Sequence, residues 1–256
     1  MAVTITALVL TALVSLLLPC LQIVILAVRR EKERKGILLY SLAGILLYVV
    51  TQWGLRNQGL SWVIEQAGWT ETVQTYYLLS LFLLSFAGSL FLLVPTYVIL
   101  RRALKKQLSF AQAMVFGLAY AMAEAVLLVG YQSVKFAIQL LKKEEGDLIV
   151  TNVQLFLSTY ERLLFFLIHT AVFAGFAWML RKGFRMRACA IFLLVETLIA
   201  FLPGFFMAFS TVQYLEVYDH VVGLFLIYVF LTAVAVTGAV ILRGIRYEFD
   251  EPSSGR

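Results

Sequence analysis

The stretch FAQAMVFGLAYAMAEAVLLVGY, Phe110 to Tyr131, is apolar for long enough to cross a bilayer, and it holds one carboxylic acid, Glu124. A helix needs about 20 predominantly apolar residues to traverse roughly 30 Å of hydrocarbon. Six further runs meet that length, so the chain reads as seven spans near 3–28, 37–56, 76–100, 109–131, 155–180, 187–209 and 220–242. Membrane barrel strands are shorter and alternate in hydropathy, so the expected fold is an all-α polytopic membrane protein, a bundle of about seven transmembrane helices.

Composition agrees with that reading. Hydrophobic residues make up 62% of 256 positions and charged residues 14%, well under the roughly 25% usual in soluble domains. Mean hydropathy is +0.90. Residues 1–247 are expected to form one transmembrane helical domain, with no independently folding soluble part, and 248–256 a polar, disordered carboxy-terminal tail.

The basic residues predict orientation. Arg29, Arg30, Lys32, Arg34 and Lys35 follow the first span, and Arg101, Arg102, Lys105 and Lys106 the third. Arg181, Lys182, Arg185 and Arg187 follow the fifth, and Arg243 and Arg246 the seventh. By the positive-inside rule these clusters are cytoplasmic, which sets the amino terminus outside and the carboxy terminus inside. The other connections, with Glu65 and Glu71, then Lys142 to Asp147, then Glu216 and Asp219, fall outside. The net charge of +6 is thereby explained as topology, and nothing in it points to nucleic acid. The first span has no basic residue before it and a basic cluster after it, the reverse of a secretory signal, so it is expected to be retained.

Between spans two and three, Trp62 and Trp69 stand a heptad apart, suiting an interfacial helix with indoles at headgroup level. Gln132 to Lys143 could either prolong the fourth span or lie flat on the surface. Cys20 and Cys189 lack CxxC spacing, so neither a disulfide nor a thiolate metal site is indicated. There is no internal repeat, which withholds support from an inverted-repeat transporter.

Ionisable groups at membrane depth carry the functional reading. A charge at a helix centre costs at least about 2.5 kcal/mol, so a chain that keeps several is usually using them. On the fourth span Ala113, Gly117, Ala121 and Ala125 form a small-residue stripe that admits another helix, and Glu124 borders it. Tyr120 lies one turn earlier on the same face, within reach of the carboxyl group. On the fifth span Glu161 and Arg162 fall near the outer surface, where an ion pair or a snorkelling arginine explains them, and His169 lies about 12 Å deeper. The sixth span adds Glu196, followed by Pro203 and Gly204, which should kink or loosen its outer end. Glu124, His169 and Glu196 are therefore the candidate catalytic residues, with Tyr120, Glu161 and Arg162 as candidate substrate contacts.

At these residues the chain resembles the YhfC-type intramembrane proteases, relatives of the CAAX prenyl endopeptidases and PrsW-like proteases. Phe116 to Ala125 is similar to that family's glycine-rich motif ending in Glu-Ala. Glu161-Arg162 with Phe165 and His169 resembles its Glu-Arg and Phe-x-x-x-His element, and Glu196 to Pro203 occupies the place of a His-x-x-x-Asp segment. The resemblance implies a glutamate, Glu124, that activates water, and a histidine, His169, that polarises the scissile carbonyl of a membrane-associated peptide. Three positions depart from the pattern: Tyr120 stands for His, Glu196 for His and Ala200 for Asp. His169 is then the one histidine in the membrane interior, since His220 is near an outer end. A glutamate-histidine hydrolase needs no cofactor; a zinc ion, with His169, Glu124 and Glu196 as its candidate ligands, is the alternative. Two other functional classes stand beside the peptidase: a catalytically lapsed relative serving as accessory or scaffold subunit to a membrane-protein partner, and a small proton-coupled transporter. The expected location is a bacterial plasma membrane, with membrane lipid as the constant partner.

Overall fold

The computed structural model describes residues 2–105, 107–142, 152–211 and 219–250. The connection from residue 143 to Asp147, Glu216, and the tail after Asp250 lie outside the described residues, as do the side chains of Asp219 and His220. Every described element is helical. Among the described residues seven helices are long and apolar enough to cross a membrane: α1 Thr6–Arg29, α2 Glu31–Gln66, α3 Tyr77–Leu104, α4 Phe110–Phe136, α5 Val153–Arg181, α6 Arg185–Ala208 and α7 Val222–Phe249. Their outward faces are oily. On α1, Leu13, Leu17, Leu21, Val24 and Val28 are all exposed at helical spacing, and on α7 so are Phe225, Val229, Val236 and Val240.

The helices differ in extent from the apolar runs. The helical backbone of α2 continues through Arg56 and Gln58 to Gln66, because polar side chains end hydropathy without ending the hydrogen-bonded backbone. Gly68, with φ of 68°, follows that helix, and a short helix Thr70–Thr75 precedes α3. Trp62 and Trp69 on this segment are exposed. After α4 the backbone stays helical to Lys142, so Gln132 and its neighbours prolong that helix. The last helix runs to Asp250, past the expected end near 242 and into the segment read as a disordered tail. It is held there within its unit: the indole Nε1 of Trp178 and the ammonium of Lys182 reach Glu248 Oε2 at 3.1 and 2.6 Å, and Arg181 donates to the Phe249 carbonyl at 2.8 Å.

The described chain forms two compact units. The first comprises residues 1–46 and 109–173 and the second 47–108 and 174–256, so the boundary falls inside α2 and inside α5. In the first unit α4 is the central element. Ser109 caps it with a reciprocal pair of bonds to Gln112, and the Ser109 hydroxyl also donates to Glu33, which pairs with Arg30 at 3.0 Å. The core around α4 is built from Ile23, Ala27, Ile37, Val115, Leu118, Ala119, Ala121, Ala125 and Phe166. Its small side chains let neighbouring backbones close in. A Cβ placed on Gly44 of α2 would lie 2.3 Å from the Phe116 carbonyl oxygen.

In the second unit α3 packs on α6, with Phe82 set edge-on to Phe201 at 5.6 Å. Gly204 belongs to this contact: a Cβ there would lie 2.8 Å from Leu81 Cδ2, so its small size serves helix packing, and the helix runs on through Pro203 to Thr211. Among the described residues three stretches are wound as π-helix, Leu13–Leu17, Val49–Leu60 and Val126–Gly130, a winding found disproportionately at functional sites. The last begins two residues after Glu124.

Candidate functional site

Gly117 decides how close α5 comes to α4. A Cβ on it would stand 2.5 Å from the His169 carbonyl oxygen and 2.9 Å from the Thr170 Cα, so the two backbones touch at the level of the histidine. Ala113, Ala121 and Ala125, on the same stripe, are buried as well, Ala121 and Ala125 in the core with Ile23 and Ala27 of α1, Ile37 of α2 and Phe166 of α5. From this contact the chemistry follows. Glu124, one helical turn past Tyr120, meets two residues of α5 that are themselves seven apart, two turns or roughly 10 Å along the axis.

Glu124 Oε2 lies 3.2 Å from His169 Nε2, and Oε1 accepts from Arg162 Nη1 at 3.1 Å. Arg162 also donates through Nη2 to Glu161. Arg162 and His169 are almost wholly buried, whereas the Glu124 side chain keeps 14% of its surface and Glu161 29%. Of the two readings of Arg162, an ion pair or a snorkelling arginine, the ion pair is the one present: the guanidinium is buried between two carboxylates, Glu161 and Glu124. Its Nε is buried without a hydrogen-bond partner among the described residues.

Aromatic rings wall the cluster. The Arg162 guanidinium carbon sits 4.9 Å from the Phe165 ring centre, within cation–π range. Phe165 in turn stacks on the imidazole of His169 at 5.6 Å and 17°. Tyr120 meets that imidazole edge-on at 4.9 Å, and Phe173 packs against Tyr120 at 5.0 Å. Tyr120, expected beside the carboxyl group, is a ring wall for the histidine. Sequence reading named Phe165 only as part of a motif and did not name Phe173. Their spacing from His169, four residues on either side, was the available signal.

Five of the six expected site residues, Tyr120, Glu124, Glu161, Arg162 and His169, come together in the first unit. Glu196 belongs to the second, where it is buried on α6 beside Thr197, whose hydroxyl donates to the Leu193 carbonyl at 2.7 Å. Among the described residues no three His, Cys, Asp or Glu side chains gather as a metal ion would require. The near neighbours of the Glu124 carboxylate are instead a guanidinium and an imidazole. Such an arrangement can hold a carboxylate ionised in a fixed orientation, pass a proton between carboxylate and imidazole, and leave lone pairs on Glu124 for a water.

Fold and site together define an all-α, multi-pass membrane protein with a buried glutamate-arginine-histidine cluster. Comparison of the chain with family models, with curated proteins and with solved structures gave no match.

Proposed function

We propose that this protein is an intramembrane peptidase-like hydrolase acting on a membrane-associated peptide. The observation that carries the reading is the 3.2 Å approach of Glu124 Oε2 to His169 Nε2, with the other carboxylate oxygen held by Arg162. In this proposal Glu124 takes a proton from water as the oxygen attacks the peptide carbonyl. The proton then passes to the departing amine, directly or through the imidazole, so that acid and base are restored. His169 supplies the polarising donor for the carbonyl oxygen as it becomes negative, and the surrounding rings keep bulk water out. The resemblance of Phe116 to Ala125 and of Glu161 to His169 to the YhfC-type proteases supports the same assignment. The proposed setting is a bacterial plasma membrane with the amino terminus outside. Labelling of single cysteines introduced near Glu65 and near Lys105 checks this: only the former should react from outside intact cells.

A second reading has its own observation. Arg162, Glu161, Glu124 and His169 pair with one another, and such a set also suits a lapsed enzyme that keeps the bundle as an accessory subunit. One experiment separates the two. The protein is reconstituted in liposomes with a library of membrane-embedded peptides, and products are read by mass spectrometry. The peptidase reading expects cleavage by the wild type and none by a well-folded Glu124→Gln variant. Equal cleavage by both, or none by the wild type across the library, removes it.

A further inference from the structure

We propose that the second unit binds the phosphate of an acidic membrane lipid at Arg56. Gln52 and Arg56 lie on the π-wound segment Val49–Leu60, and their side chains cross α3 at Gly88. Gln52 Nε2 donates to the Gly88 carbonyl at 3.1 Å, and Arg56 Nη1 donates to Gln52 Oε1 at 3.2 Å. A Cβ on Gly88 would stand 2.6 Å from Arg56 Cδ, so the missing side chain makes room for the arginine stem. The guanidinium is thus held from its own helix and steered by the next one.

Its place in the chain makes the charge conspicuous. Arg56 closes the apolar run of α2 that begins near Ile37, about 19 residues earlier, so it stands at the end of the hydrocarbon-length stretch, the level of lipid headgroups. Its stem lies across Gly88 and its guanidinium bonds a neutral amide, which leaves the charge open to an anion. In the first unit Arg162 has two carboxylates. Arg56, which is only half-buried, has no acid within ion-pair distance among the described residues, and its one hydrogen bond goes to a neutral amide oxygen.

The occupant follows from solvation. A small soluble anion gives up hydration to bind and gains no apolar contact in return, whereas an anionic phospholipid already holds its phosphate at headgroup level with apolar chains attached. Trp53 and Leu55, neighbours of Arg56 on the same segment, are exposed and offer those chains an apolar surface. The free edge of a guanidinium presents parallel N–H donors that match two phosphate oxygens. An anionic phospholipid meets each condition.

The test uses the purified full chain in detergent, with bound lipid read by native mass spectrometry and thermal unfolding. Phosphatidylglycerol, phosphatidylcholine and inorganic phosphate are the three probes. The wild type should retain phosphatidylglycerol in preference to phosphatidylcholine and gain nothing from inorganic phosphate. Arg56→Gln should lose that preference, with affinity for phosphatidylglycerol down about tenfold. Should Arg56→Gln unfold, Arg56→Lys serves instead, since it keeps the charge but not the fork; several-fold weaker binding is expected. Undiminished phosphatidylglycerol binding in the folded variants, or equal stabilisation by inorganic phosphate, overturns the proposal. The result is independent of whether the first unit hydrolyses peptides.

Discussion

Gly117 and the carbonyl of His169 stand so close that a methyl group on the glycine would lie 2.5 Å from that oxygen. The obstructing atoms are backbone in the middle of a helix, which cannot swing aside. Gly117→Ala should therefore push α5 away from α4, destabilising the protein by about 1–3 kcal/mol and loosening the His169 approach to Glu124. Thermal unfolding in detergent measures the first effect. An unaltered midpoint would show that the two backbones have slack.

At Gly88 the same substitution meets a different obstacle. There the nearest atoms are the Arg56 side chain, 2.6 Å to Cδ and 2.9 Å to Nε, and a side chain can turn. Gly88→Ala is expected to cost less stability than Gly117→Ala while displacing the guanidinium. Unfolding midpoints of the two variants measured side by side decide the order.

Removing one partner of a buried ion pair leaves the other stranded. Arg162→Met should cost about 3–5 kcal/mol, because Glu124 then keeps a charge inside apolar walls. Neutralising that charge as well, in Arg162→Met with Glu124→Gln, should recover most of the loss. Glu161 needs no such rescue, being partly exposed to begin with. A double-mutant cycle by unfolding reports the coupling, and simple additivity would mean that the pair is not formed.

The start of α4 is fastened by Ser109, whose oxygen accepts from the Gln112 N–H at 3.3 Å. Ser109→Ala removes the cap and the bond to Glu33, and a loss of about 1 kcal/mol is expected. Ser109→Asp would keep the cap but set a like charge against Glu33, so it should rescue little. Unfolding of both variants at low and high salt separates capping from repulsion.

The seven helices were legible in the sequence because hydrocarbon thickness imposes a length that apolar composition must match. Their ends were less so: Arg56 and Gln58 lower the hydropathy of α2 near its expected end, yet the backbone stays helical to Gln66. The stripe of Ala113, Gly117, Ala121 and Ala125 was readable as a packing surface, since small residues at four-residue spacing have few other uses in oil. The pairing of Arg162 with Glu124 was not readable. An arginine in the outer part of a helix can turn to water or to a partner, and the partner, Glu124, lies 38 residues earlier in the chain. Arg56 escaped notice for a related reason: its neighbours depend on where α2 crosses α3, and only the bonds at Gly88 fix that crossing. Glu196 shows the remaining gap, because hydropathy reveals that an acid is buried without revealing what it is buried among.

The wide turn at Val126–Gly130 also bears on how this chain tolerates length change. Wide turns hold more residues per revolution than the α form, so excising one, such as Leu127, can be absorbed by local tightening. Glu124 would keep its bearing toward α5, and residues from Tyr131 onward would keep theirs. The same excision between Gly117 and Glu124 has no surplus to draw on and would swing the carboxylate by about 100°. The cluster is thus buffered against indels on its far side alone.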